Sequence, residues 1–390
     1  MLSRRTLRLT FFGSLYFAQG AALSYFLTFN ILYLRDLGFT ADRIGFFQAT
    51  LVVPFILKLL LGMLSDRFSL LGFGHRSPYI LLGLLTQLVC FLILPRIMLP
   101  ADLNIFFAVA MAAAVSMSLY DTCTDGLAVE VTPEKDRALV QGVMVGARAA
   151  GILTALLLGG WLISHHDWSS VFLMVSALGL PALLLNLVNW QTSTGPGSQA
   201  FDWSAFRSLV GREALFVAAM GLIYALALDG VLSYLSYHPL AGSVVDVGLV
   251  SGLIALSMLG RIAGAVSSAG LTTRFGYRAS LALAIGLSAL ACYGLSLPLG
   301  TRGLAAACFL FGFSYGYYTA AYSAVSMALS DPRVAAAMFA VFMMFLNIGI
   351  ALGQAIGGVI VEAGGFATLA GWMSLLVLLN LLLVRGLRTV

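Results

Sequence analysis

Gly62-Met63-Leu64-Ser65-Asp66-Arg67 ends one long apolar run, and Gly72, Arg76 and Pro78-Tyr79 lead into the next. A short charged stretch between two runs of membrane-spanning length reads as a tight loop at a bilayer surface. The rest of the chain agrees. Its 390 residues are 61% hydrophobic and only 9% charged, with a mean hydropathy of +0.99, whereas a soluble domain carries roughly 25% charged residues. An ordinary soluble fold is excluded. The formal net charge of +5 does not point to nucleic acid, because the arginines sit at run ends rather than along a basic stripe.

A span needs about 20 mostly apolar residues. Twelve such runs can be read, at about 9–34, 43–64, 77–98, 103–130, 138–164, 169–190, 213–238, 247–269, 279–298, 303–329, 334–361 and 367–386. The longest connection, 191–212, holds Thr194-Gly195-Pro196-Gly197-Ser198 and then Phe201-Asp202-Trp203. It is polar and turn-rich, as a linker between two six-helix halves, 1–190 and 213–390, would be. The predicted fold is therefore an all-α membrane protein of twelve transmembrane helices in two pseudo-symmetric bundles.

With the N-terminus inside, Arg4, Arg5, Arg8, Arg67, Arg76, Lys135, Arg137, Arg207, Arg212, Arg274, Arg278, Arg333, Arg385 and Arg388 fall on the cytoplasmic side. Only Arg35, Arg43, Arg96 and Arg302 fall outside. This asymmetry predicts cytoplasmic termini and a multi-pass protein of the cell's inner membrane. No small-residue cleavage site follows the first run, so that run is expected to be a retained helix rather than a signal peptide.

The halves echo one another. Gly151, Gly159-Gly160 and Trp168 recur as Gly349, Gly357-Gly358 and Phe366 with the same spacings. Gln19-Gly20 followed by Ser24-Tyr25 recurs as Asp229-Gly230 followed by Ser233-Tyr234, one residue shorter.

Six charges lie inside the runs: Lys58, Asp121, Asp125, Arg148, Asp229 and Arg261. Charges at such depth are costly and mark substrate or proton pathways when they face the protein interior. At a helical rise of about 1.5 Å per residue, Lys58 and Asp125 lie roughly 12 Å from the cytoplasmic edge, Arg148 about 15 Å and Asp121 and Arg261 about 18 Å. Asp121 and Asp125 are four residues apart and share one helix face. Two carboxylates so placed cannot both ionise cheaply, which suits one of them to carry a proton. Arg148 or Lys58 can alternatively hold an anionic group of a solute. A permanent neutral network of ion pairs is the competing reading. Asp229 and Arg261 read either as a buried pair or as a second proton or substrate contact, with Asp229 corresponding to Gln19 in the other half.

The four cysteines, Cys90, Cys123, Cys292 and Cys308, are scattered through separate runs, and His165-His166 lies in a loop. Neither pattern has metal-site or redox spacing, so no metal and no cofactor are expected. A phosphate loop ending in GK[ST], an H-E-x-x-H pair and a nucleophile elbow are all missing from the sequence, which argues against an enzyme or an ATP-driven pump.

The Gly62 to Arg67 stretch with Arg76 resembles the loop signature of the major facilitator superfamily, G-x-L-S-D-R followed by a basic cluster. The resemblance implies a latch of Gly62, Asp66, Arg67 and Arg76 that joins neighbouring helices in one conformation and releases them in another. The second-half counterpart, Leu271 to Arg278, has Thr273 where the acid would stand. In this superfamily the first, fourth, seventh and tenth helices line the cavity, which adds Tyr318 and Tyr322 as candidate substrate contacts. Lys58, Asp121-x-x-x-Asp125-Gly126, Pro133, Arg137 and Arg148-x-x-Gly151 resemble the clan of AmpG-type muropeptide permeases, folate–biopterin transporters and acetyl-CoA transporters. Twelve rather than fourteen spans set the chain apart from AmpG itself. The 66–79 stretch is also similar to sugar–cation symporters and PucC-like assembly factors. The resulting expectation is a monomeric secondary transporter of a polar, anionic organic solute, with protons as the coupling ion and the bilayer as its solvent. The alternatives are a multidrug or metabolite exporter and a PucC-like pigment-binding or assembly protein that transports nothing.

Overall fold

The computed structural model describes residues 5–39, 41–70, 75–189, 204, 211–235, 247–331 and 334–387, so most of the 191–212 linker lies outside the described residues. The described chain is helical: α1 Arg5–Ser24, α2 Asn30–Asp36, α3 Ala41–Ile56, α4 Lys58–Arg67, α5 Ser77–Ile93, α6 Leu103–Val131, α7 Arg137–His165, α8 Trp168–Val188, α9 Arg212–Ser233, α10 Val247–Ser296, α11 Thr301–Leu329, α12 Ala335–Leu378 and α13 Asn380–Val384. Among the described residues, eight helices or helical runs are long and apolar enough to cross a bilayer. Two of them turn sharply at a glycine with φ of 78°, Gly276 in α10 and Gly365 in α12, a backbone conformation that other residues rarely adopt. Each is thus a span, a turn and a second span. Counted with α11 and the broken pair α3–α4, these arms are consistent with the twelve spans expected.

Two departures from regular helix bear on the site. A π-helical turn, Tyr25–Phe29, joins α1 to α2. The second expected run breaks at Leu57 (ψ 10°), just after Pro54, which cannot donate a helical hydrogen bond. The break is braced from α6, where the Ser118 hydroxyl donates to the Pro54 carbonyl at 2.8 Å. Lys58 consequently begins a helix rather than continuing one.

The helices carry apolar side chains on both faces, as a bilayer requires. Val188, Val359, Trp372 and Leu382 are each more than half exposed, the pattern of a lipid-facing surface. The interior is closed by rings such as Phe11, Phe12, Phe91 and Phe106, each 0% exposed. Outside the spans, Asp167 caps α8 by accepting from the Ser170 N–H at 3.0 Å. That N–H, together with the Ser170 hydroxyl, holds the Asp167 carboxyl below its ordinary range.

Two compact units emerge. The first is Met1–Val131, Ala147–Trp203 and Asp331–Ala340; the second is Thr132–Gly146, Ser204–Ser330 and Val341–Val390. Two short segments, 132–146 and 331–340, each group with the unit that the surrounding chain does not belong to. Within the first unit, α1 and α7 touch backbone to backbone, because Gly20 faces the Arg148 carbonyl and Gly151 faces the Phe17 carbonyl. In the second unit α9 and α12 do the same through Gly349 against Leu222 and Gly353 against Leu226. Gly353, one helical turn beyond Gly349, therefore makes the contact that Gly151 makes in the first unit. The one-turn shift continues along the repeat: Gly159 lies against the Phe29 ring, whereas Gly357 lies against the ring of Tyr234, the counterpart of Tyr25. Gly151→Val places side-chain atoms on the α1 backbone and is expected to cost about 1–3 kcal/mol. An unchanged melting temperature of the detergent-purified variant would refute this packing.

Candidate functional site

The close approach of α1 and α7 decides what Arg148 can reach. Its Nε donates to the Gln19 Oε1 at 2.7 Å, and its guanidinium lies over the Tyr16 ring at 4.5 Å. From α6, one face presents both Asp121 and Asp125. Lys58 forms an ion pair with Asp121 Oδ2, and Arg148 reaches the other oxygen, Oδ1, at 3.4 Å. Asp125 accepts the Tyr16 hydroxyl. All six groups, Tyr16, Gln19, Lys58, Asp121, Asp125 and Arg148, meet inside the first unit.

The sharing of charge in this cluster is unequal. Asp121 is held by two cations and its side chain is 0% exposed, whereas Arg148 keeps 31% of its side chain exposed. Among the described residues no cation forms an ion pair with Asp125. The arrangement can release one cation, Arg148, without leaving Asp121 unneutralised. Tyr16 was not among the expected site residues; its position on the first helix, three residues before Gln19, was the available signal.

A second cluster lies where the signature loop falls. The Arg76 guanidinium donates to Ser65 Oγ at 2.7 Å, to Asp66 Oδ1 at 2.5 Å and to Glu130 Oε1 at 2.5 Å. Burial by itself would weaken the hold of Arg76 on its proton, but the carboxylates of Glu130 and Asp66 outweigh it and push its pKa above the ordinary value. Asp66 also accepts the N–H groups of Ala336 at 3.3 Å and Ala337 at 2.9 Å. These belong to the first turn of α12, whose donors have no intrahelical partner, so Asp66 caps that helix from another part of the chain. Gly62 makes room: a Cβ there would lie 2.9 Å from the Ala336 and Ala337 backbone. Of the four expected latch residues, Gly62, Asp66 and Arg76 converge. Arg67 does not; it is exposed and lies over the Phe68 ring at 5.3 Å. The partner missed in the sequence is Glu130, nine residues beyond Asp121 at the end of the same helix.

In the second unit, Asp229 and Arg261 form no ion pair with each other. Tyr315 stands between them: its hydroxyl donates to Asp229 Oδ2 at 2.6 Å, and Arg261 stacks on its ring at 3.6 Å. Tyr318 and Tyr322 lie deeper, both 0% exposed. Their hydroxyls donate to the Met220 carbonyl at 3.1 Å and the Phe342 carbonyl at 3.0 Å. Tyr318 is further sandwiched against Tyr224 and Tyr322. Backbone carbonyls thus hold both tyrosine hydroxyls, and Tyr315 is the ring that meets the charges. His165 stacks on Trp161 at 4.9 Å and its Nδ1 lies 2.9 Å from the Trp161 carbonyl.

Comparison with known proteins agrees with this architecture. The chain is 25% identical over 341 residues to the anhydromuropeptide permease of Escherichia coli K12, covering 83% of this chain and 68% of that protein. It is 26% identical over 185 residues to a probable chloroplastic folate-biopterin transporter of Arabidopsis thaliana, 46% of this chain and 33% of the relative. The fold matches the crystal structure of the E. coli fucose:proton symporter with a TM-score of 0.78 at 16% identity, over 98% of both chains. The sequence pattern of the Major Facilitator Superfamily spans residues 12–354. This chain belongs to the Major Facilitator Superfamily of membrane transporters.

Proposed function

We propose that this protein is a proton-coupled secondary transporter of a polar, anionic organic solute, acting as a monomer by alternating access in the cell's inner membrane. The observation that carries the reading is the unequal charge sharing around α6: Asp121 with two cations, Asp125 with a tyrosine hydroxyl. The fully ionised quartet of Lys58, Arg148, Asp121 and Asp125 sums to zero. An anionic group arriving at Arg148 adds one negative charge, and a proton arriving at Asp125 cancels it. Coupling one proton to one anion therefore keeps the cluster neutral, which the low-dielectric interior favours. Lys58 holds Asp121 while Arg148 turns to the solute, and Gln19 and Tyr16 keep the guanidinium in place. Similarity to a permease named for anhydromuropeptide supports a polar organic cargo.

Proteoliposome uptake of organic anions, sugars, peptides and siderophores, with and without an inward pH gradient, tests the proposal. The wild type is expected to accumulate an anion only with the gradient. Asp125→Asn removes the proton carrier and is expected to lower gradient-driven accumulation at least roughly tenfold, the scale of about 1.4 kcal/mol of lost coupling. Undiminished gradient dependence in Asp125→Asn would sink the assignment.

A further inference from the structure

Arg261 is a cation in the middle of an apolar arm of α10, and its N–H groups have few partners. Among the described residues its one hydrogen-bonding partner is the Met258 sulfur at 4.0 Å, a weak acceptor at that range. Among the described residues no carboxylate forms an ion pair with it. The rest of its environment is the Tyr315 face at 3.6 Å. A stacked ring offsets part of the desolvation cost of the guanidinium. It covers the flat face of the guanidinium and leaves the edge, where the donors project.

The platform is built rather than incidental. Gly260 faces the Phe309 carbonyl, Gly264 the Phe313 carbonyl, Gly312 the Ser257 carbonyl and Gly316 the Arg261 carbonyl. Two four-spaced glycine pairs thus let α10 and α11 meet backbone to backbone, as small residues do in membranes. That contact sets Arg261 directly over Tyr315. Asp229 grips the far end of Tyr315 through its hydroxyl, so this acid fixes the ring beneath Arg261 without making an ion-pair contact to the guanidinium.

We infer that Arg261, seated on Tyr315 with its donor edge uncommitted, is an oxyanion-binding site of the second unit that takes a carboxylate or phosphate group. A planar fork of N–H donors suits both groups, accepting two parallel hydrogen bonds from either. The inference builds on the reading of the cargo as an anion, and places a second anion contact far in sequence from Arg148.

Arginine-selective labelling by phenylglyoxal, followed by peptide mass spectrometry of the full chain in detergent, tests it without knowledge of the cargo. Arg67, which is exposed, serves as the internal reference. Arg261 is expected to be labelled, and acetate or inorganic phosphate at about ten times a millimolar-range Kd to slow its labelling roughly tenfold, with chloride at equal ionic strength without effect. Protection by acetate alone assigns a carboxylate, by phosphate alone a phosphate, and by both a general oxyanion site. An Arg261 that resists labelling while Arg67 reacts, or that neither anion protects beyond chloride, overturns the site. Loss of protection with proton-driven uptake intact would refute this site alone. Intact protection with no gradient-driven uptake would refute the transport reading alone.

Discussion

Asp121→Asn is expected to destabilise the protein by about 3–5 kcal/mol and to abolish uptake. Breaking a buried ion pair by removing one partner strands the remaining charge, which is the costly half of such an interaction. Here the loss is doubled in kind, because Asp121 neutralises Lys58 through one oxygen and Arg148 through the other. Lys58 is only 7% exposed, so its ammonium would be left in a buried site without the carboxylate that neutralises it. Arg148 retains Gln19 and the Tyr16 face, so Lys58 should dominate the loss. The double variant Lys58→Met/Asp121→Asn removes both members of the tighter pair and is expected to recover most of the stability but none of the uptake. Melting in detergent and uptake in proteoliposomes read the two quantities separately. A single Asp121→Asn variant that melts and transports as the wild type would leave the charge cluster without a role.

The second large effect falls at the signature loop. Arg76→Met leaves Glu130 without its charged partner and Asp66 with only its two α12 backbone donors. Glu130, with 16% of its side chain exposed, would lose its counter-charge in a mostly buried site, so a loss of about 1–3 kcal/mol is expected. Asp66 is the better protected of the two acids, since backbone N–H groups at a helix start favour a negative charge. Glu130 should therefore account for most of the change. Adding Glu130→Gln to Arg76→Met is expected to restore a large part of the melting temperature, whereas adding Asp66→Asn should lower it further by uncapping α12 with a poorer acceptor. If the two double variants moved in the same direction, the division of labour argued here would fail. Uptake is expected to fall in both single and double variants, because the loop that caps α12 no longer closes on three acceptors.

Much of this was legible in the residues. Long apolar runs with few charges outline the spans without reference to any contact. The depth of Lys58, Asp121, Asp125 and Arg148 follows from helical rise, and the four-residue spacing of the two acids places them on one face. That these four residues meet was a fair expectation, since membrane interiors leave charges few other options. The partners that give each charge its character were less accessible. Tyr16 and Glu130 carry ordinary signals, a tyrosine in an aromatic-rich helix and an acid near a loop, and neither pattern names its mate. The Asp229–Arg261 pair was read from charge and depth alone, which take no account of Tyr315 from a helix distant in sequence. Tyr318 and Tyr322 were singled out by helix and spacing, yet helical phase turns both hydroxyls towards backbone carbonyls.

Composition, hydropathy and charge placement determine by themselves that the chain lives in a bilayer and which residues are anomalous there. Each of these depends on local quantities: residue polarity, run length and rise per residue. Pairing does not. Which cation takes which carboxylate oxygen, and which acid is left with only a hydroxyl, depends on helix approach distances that glycines set, at Gly20 and Gly151 for Arg148 and at Gly264 and Gly316 for Arg261. Those contacts join residues more than a hundred positions apart in the first case and about fifty in the second, so only the tertiary structure could decide them.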